Sequence, residues 1–384
     1  MIKQIITILT LIIVLQACNN APSINGSNSI KTDTVIVKSM QIKYAKGFSV
    51  DYYKTYKKVT VYNPWKDNSV YWQYFIVDDS TMLKPNKNGN FYILSSTLNN
   101  VLQLSGTQMS MFAVIGELCN VKAVGESKYL YNKKVLQNIK NGSVIELGNE
   151  QNLNTEKLIT EGINAVFTTG WDKVGDNFKK LTDLGIPIIY SLDWQEQSPL
   201  ARAEWIKFIA CFYNKEDRAE KYFNSIEKKY NNLKEKAKNV EYKPTVFNGN
   251  SISGTWYIAG SESYLVQLFN DANAEYIFKD NSSKGSVPLS FETVYSQAQS
   301  ADFWIASGNN DFIGSDERYK MFKAYKNSNI YLNNNKINQT GGNDYWESGV
   351  IHPELQLQDF INIFHSNLLS DSGLVYYKRL GFVK

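Results

Sequence analysis

Histidine is nearly missing from this chain, with only His352 and His365 among 384 residues. A bare zinc or manganese site gathers several histidines and carboxylates around one cation. The two histidines here flank one helical stretch, "PELQLQDFINIF", so they stand at its opposite ends and cannot share a metal. Capture of a free transition metal is therefore disfavoured. The same scarcity removes the base that a serine or cysteine nucleophile needs, and neither histidine stands in a nucleophile–base motif. The GxSxG, HExxH and Walker A patterns are absent, and "GGNDYWESG" lacks the spacing of a dinucleotide fingerprint. A pair of carboxylates could still serve a glycosidase, since acidic residues are plentiful. The expectation is nonetheless a protein that is not an enzyme and has no cofactor or metal of its own. Arginine-rich stripes are lacking too, and the net charge of +4 is spread along the chain, so nucleic acid is not an expected partner.

Cysteine is almost as scarce, with three in all. The first follows a short apolar run, "IITILTLIIVL", that begins after Lys3 and is too short for a comfortable membrane span. The run ends in "LQAC", Leu15 to Cys18, which resembles a bacterial lipobox. That resemblance implies a signal peptide over 1–17, cleavage before Cys18 and diacylglycerol on its thiol, with 18–32 as a flexible tether. Each buried acyl methylene contributes about 0.8 kcal/mol, so several chains hold a protein on a membrane. No acidic run follows Cys18, which favours a periplasmic location, lipid-anchored in the cell envelope. Cys119 and Cys211 are read as separate small core residues, the latter at helical spacing from Trp205 and Phe208.

What the chain has in quantity is aromatic surface, with 25 Tyr and 8 Trp. Such side chains fill cores or line sites that grip a large ligand by area. The length favours two domains. "VIVKSMQIKYAKGFSVDYY", "KKVTVYNPW", "VYWQYFIVDD" and "NFYILSS" alternate as strands do. From Thr97 the pattern "TLNNVLQLSG" reads as helical, and helices then alternate with apolar strands up to "IPIIYSLDW", as in a mostly parallel α/β sheet. Residues 199–239 form a helical stretch broken near Asn214, with Pro199 suited to a first turn. The α/β rhythm resumes at "PTVFNGNS" and ends in a terminal helix. Two α/β lobes follow, 33–198 and 240–384, bridged by a helical connector at 199–239. One unit occurs in both: "LNTEKLITEGINAVFTTG" and "LSFETVYSQAQSADFWIASG".

With "LTDLGIPIIYSLDW", "AEWIKFIACFYNKEDRAEKYFNSIEKKYNNL" and "IAGSESYLVQLFNDANAEYIFKD", these units resemble the substrate-binding proteins of ABC importers. The similar class has a rigid helical backbone and captures vitamin B12, iron-siderophores and haem. The resemblance implies a monomer with a long rigid connector, a ligand cleft between the lobes and an ABC permease as partner. It gives Glu156 and Glu292 the role of docking onto permease arginines, and each begins a helix, where a carboxylate is favoured by about 0.3–1 kcal/mol. It implies an iron chelate (siderophore or haem) or a corrinoid as ligand. Clefts of open α/β sheets lie at the carboxyl ends of strands. On that rule Ser96, Tyr131, Trp171, Trp194, Trp256, Tyr257, Asn309, Tyr345 and Trp346 are the expected ligand contacts. The main alternative, argued from aromatic abundance alone, is a surface glycan-binding lipoprotein.

Overall fold

A computed structural model describes residues 35–77, 90–308, 313, 316–369 and 373–381. The expected signal peptide, the tether to residue 32, Cys18 and Asn309 lie outside them. The alternating amino-terminal runs form a meander of β1 (Lys38–Ser39), β2 (Phe48–Tyr52), β3 (Tyr56–Tyr62) and β4 (Val70–Val77), and β5 (Phe91–Ser95) adds parallel to β4. Val50, Val59, Tyr74 and Tyr92 meet across four neighbouring strands, and all are buried. Side chains two apart share a face, so this row is the sheet's inner side.

Helices then alternate with strands: β6 (Val101–Gln103), α1 (Gly106–Ile115), β7 (Val121–Val124), α2 (Lys133–Lys140), β8 (Ile145–Glu146), α3 (Thr155–Thr160), β9 (Ala165–Thr169), α4 (Asp176–Asp183) and β10 (Ile188–Ser191). The strands make one parallel sheet in the order β10-β9-β6-β7-β8. β10 is buried along its whole length, as a sheet covered on both faces requires. The helical expectation for "TLNNVLQLSG" is corrected here. Thr97 and Asn100 take positive φ (68° and 46°) and turn the chain, and Val101 to Gln103 become the central strand.

The connector is α5 (Pro199–Glu204), α6 (Ile206–Cys211) and α7 (Glu216–Lys238), with the break at Asn214 (φ 51°). In α7 the buried residues Ala219, Phe223, Ile226, Tyr230 and Ala237 recur at helical spacing and form its inner face. The second lobe holds β11 (Thr245–Asn248), β12 (Asn250–Ile252), β13 (Thr255–Ala259), α8 (Tyr264–Asp271), β14 (Glu275–Tyr276), β15 (Ser286–Leu289), α9 (Phe291–Ala298), β16 (Phe303–Ala306), α10 (Lys323–Lys326), β17 (Ile330–Leu332), α11 (Pro353–Phe364) and β18 (Lys378–Arg379). Its main sheet runs β14-β11-β16-β17-β18, parallel except for β18, and β12-β13-β15 form a small antiparallel sheet. Two α/β lobes bridged by helices are thus the architecture.

Buried carboxylates bolt the amino-terminal sheet to the connector. Glu204, fully buried in α5, accepts the backbone N–H groups of Lys43, Tyr44 and Ala45 at 2.7–3.1 Å and pairs with Lys207 at 2.9 Å. Glu196 accepts the amides of Lys46 and Gly47 and the Trp205 indole N–H. Burial raises its carboxyl above the ordinary range, against the pull of those donors. On the far side, the Tyr230 hydroxyl of α7 donates to Asp271 of α8 at 2.6 Å. Removing one partner of a buried pair costs about 3–5 kcal/mol, so Glu204→Ala should lower folding stability by that order in denaturant titration. An unchanged midpoint would mean the clamp carries no load.

Cys211 is buried, its thiol 3.2 Å from the Lys207 carbonyl, whereas Cys119 is exposed, which corrects its placement in the core. A turn of 3₁₀ helix at Leu118–Asn120 carries Cys119 outward. Both thiols are free. Among the described residues no helix is long and apolar enough to cross a membrane.

Candidate functional site

A cavity of about 780 Å³ lies between the lobes. Its rim collects the carboxyl ends of strands from both sheets: Trp194 to Gln197 after β10, Asn248 and Gly249 after β11, Ser307 after β16 and Asn333 after β17. Gly249 has φ 88°, and a Cβ there would stand 1.9 Å from the Tyr257 carbonyl oxygen. Only glycine lets the chain leave the parallel sheet there and enter the β12–β13 hairpin.

Of the expected contacts, Trp194, Tyr257, Tyr345 and Trp346 line this cavity. Tyr257 and Trp346 are exposed, at 41% and 49%, and present open ring surface, whereas Tyr345 is buried beneath Trp346. Trp171, 50% exposed, packs against Trp194 with ring centroids 4.8 Å apart. Two backbone carbonyls fix this pair: the Trp194 indole N–H donates to Gly170, and the Tyr71 hydroxyl donates to Trp171.

Three expected contacts fall elsewhere. Trp256 lies inside β13, where alternation turns Tyr257 out and Trp256 in. It is fully buried among Phe247, Trp304 and Phe322, with its indole N–H on the Asn248 carbonyl. Ser96 follows β5 of the amino-terminal sheet and lies on the chain's way into the start of β6, opposite the cleft edge. Tyr131 does not line the cavity; its backbone N–H joins the lobes, donating to Glu347 at 2.7 Å.

Trp65 was not anticipated. It sits in the β3–β4 loop, and its ring centroid is 6.2 Å from that of Trp194 and 6.0 Å from that of Tyr71. A second cavity of about 640 Å³ adjoins the first, sharing Gln195, Glu196, Gln197, Ser263 and Lys284, and adds Lys46, Tyr62 and Asn68 from the amino-terminal sheet. That sheet is therefore a wall of the site. "YNPWKDN" marks a turn, but nothing in its spacing shows which loop of the other sheet it meets.

The cleft floor is tied across the lobes by the segment Tyr345–Glu347. Thr107 of α1 donates to the Trp346 carbonyl at 2.8 Å, and Ser110 to that of Glu347 at 2.9 Å. The Glu347 carboxylate accepts the amides of Tyr131 and Asn132. Burial outweighs these donors and pushes its carboxyl up to about 7. A raised folded-state value means that the folded form binds the extra proton. The resulting stability is present below the unfolded value near 4.5 and is lost as pH rises through about 7. Stability should therefore fall between pH 5 and 8 by up to roughly 3 kcal/mol from this group, and Glu347→Gln should flatten that slope in pH-dependent melting. An equal slope in the variant would contradict the assignment.

Glu156 and Glu292 are exposed in the first turns of α3 and α9, whose N-caps are the side chains of Asn154 and Ser290. Each helix leads into an inner parallel strand, β9 or β16. Glu292 accepts a hydrogen bond from Arg318 at 3.0 Å, and Arg318 is also held by Asp316 and lies over the Phe291 ring. His352 and His365 cap the two ends of α11, and the His365 Nε2–H donates to the Ala272 carbonyl. Among the described residues no group of three or more His, Cys, Asp or Glu is arranged to hold a metal.

Two α/β lobes with an aromatic cleft at their facing strand ends define a solute-binding protein. A family model described as periplasmic binding protein matches residues 101–336, and the chain belongs to that family, whose members serve ABC transporters. An uncharacterized lipoprotein of Methanocaldococcus jannaschii is 28% identical over 385 aligned residues, covering 92% of this chain and 89% of its own length. Among solved structures, the ABC-type Fe3+-hydroxamate transport protein of Saccharomonospora viridis superposes with a TM-score of 0.55 at 14% identity, covering 74% of this chain and 99% of that one. The periplasmic haem-binding protein HutB of Vibrio cholerae gives 0.53 at 17% identity, covering 68% and 98%. These structures share the fold.

Proposed function

We propose that this protein is a lipid-anchored binding component of an ABC importer that captures a metal chelate, an iron-siderophore, haem or a corrinoid, between its lobes and hands it to the permease. The observation that carries this reading is the interlobe cavity, with Trp194, beside Trp171 and Trp65, on one side and Tyr257 and Trp346 on the other. Flat or bulky chelates offer the area that such rings grip. The structural neighbours are described as haem and Fe3+-hydroxamate proteins, which supports the ligand class. Anchoring through Cys18 draws support from the lipobox and from a relative described as a lipoprotein. Glu156 and Glu292 supply exposed carboxylates suited to bidentate pairing with permease arginines. The protein then performs no chemistry; it selects and delivers.

Titration of the purified protein with cyanocobalamin, haemin and ferric siderophores, followed by tryptophan quenching, tests the reading. Saturable binding of at least one is expected. Binding of none, with saturation by a simple sugar instead, would favour glycan capture.

A further inference from the structure

The candidate chelates differ most in charge. A ferric tricatecholate is multiply anionic and haem carries ionisable propionates, whereas a ferric trihydroxamate such as ferrichrome is uncharged and a corrinoid shows an uncharged amide rim. An anion drawn between two lobes loses water and needs cations in exchange.

The cleft supplies few. Among its described lining residues the only cation is Lys284, which is exposed. The adjoining cavity adds Lys46 but also Glu262, so no positive field results. Arg202 does not line the cavity: it is buried, stacked on Tyr264 at 4.3 Å, with the Asp193 carboxylate 3.7 Å away opposing its charge and its Nε without a hydrogen-bond partner. The start of α8 opens on the cleft at Ser263 and Tyr264, but the Ser263 hydroxyl already accepts one of its free amides.

The polar group on the floor is neutral. Asn333, at the end of β17, is 4% exposed and lines the cavity, and its Oδ1 has no hydrogen-bond partner. A buried amide oxygen is costly to leave unpaired. That oxygen can accept from an N–H or O–H.

We propose that the cleft selects a chelate without net negative charge, with Asn333 accepting a hydrogen bond from the ligand's uncharged polar rim. This rests on the chelate capture proposed above. The experiment is equilibrium titration of the full chain with four probes: cyanocobalamin, ferrichrome, haemin and ferric enterobactin. One of the first two is expected to bind at least about a hundredfold more tightly than both anionic probes, with little change between low and high salt. Asn333→Leu should weaken that binding about tenfold without lowering the melting temperature. Tightest binding by haemin or ferric enterobactin would overturn this inference and leave chelate capture standing. Binding of none of the four would refute capture itself, and this inference with it. Unchanged affinity in Asn333→Leu would remove the hydrogen bond assigned to that residue.

Discussion

A Glu156→Ala, Glu292→Ala double variant is expected to bind its ligand as the parent does and to lose uptake into cells. Neither carboxylate lines the cleft. Both are exposed, so their removal leaves no buried partner unsatisfied and folding should be untouched. A hydrogen bond to a charged group contributes about 1.5–3 kcal/mol, so losing both contacts would weaken docking by roughly 10²–10⁴-fold. The two single variants should differ. Glu292 already accepts from Arg318, and a permease arginine there must share or displace a resident one. Exposed pairs of that kind are worth about 0–1 kcal/mol, so exchange is cheap but lowers the net gain. Glu156→Ala alone should therefore reduce uptake more than Glu292→Ala alone. Accumulation of labelled ligand, set beside solution affinity, checks this, and unimpaired uptake in the double variant would withdraw the docking role.

Trp194→Ala and Trp346→Ala should each weaken ligand binding by about 2–3 kcal/mol, or roughly 30- to 150-fold, as expected for aromatic anchors in a desolvated site. Trp346 is half exposed and gives up little packing in the free protein, so its melting temperature should hardly move. Trp194 lies against Trp171 and Trp65, and its loss should also loosen that trio. Trp256 is the contrast. It is fully buried in the second lobe, and Trp256→Ala should cost about 3–5 kcal/mol of folding stability as a core truncation. Calorimetric titration paired with thermal melting separates the two classes of tryptophan. Equal loss of affinity and stability in all three variants would mean that the cleft rings are only packing.

Periodicity made the lobes and the connector readable, because buried parallel strands and an amphipathic helix each leave a local pattern. The apolar runs of β9 and β10 are written in consecutive residues, and the inner face of α7 recurs at helical spacing within one continuous segment. β6 escaped notice because three residues between turns carry too little pattern to outweigh the apolar spacing around them. Ser96 does follow a strand, but β5 belongs to the amino-terminal sheet, whereas in the parallel sheet the matching strand end is the loop after Gln103. Trp256 and Tyr257 are neighbours in sequence, and only the register of β13 against β15 decides which one faces inward. Trp65 and the Glu347 tie join segments far apart in the chain, the latter across 216 residues to Tyr131. Contacts of that range leave no trace in local composition.

The central claim is that a metal chelate sits between the lobes. Anomalous diffraction from crystals grown with a saturating chelate measures this directly, because iron or cobalt marks its own position. A single metal peak is expected in the cavity between Trp194 and Tyr257, above Asn333. A peak outside that cavity, or a metal-free cleft in protein that solution titration has shown to be saturated, would contradict the account.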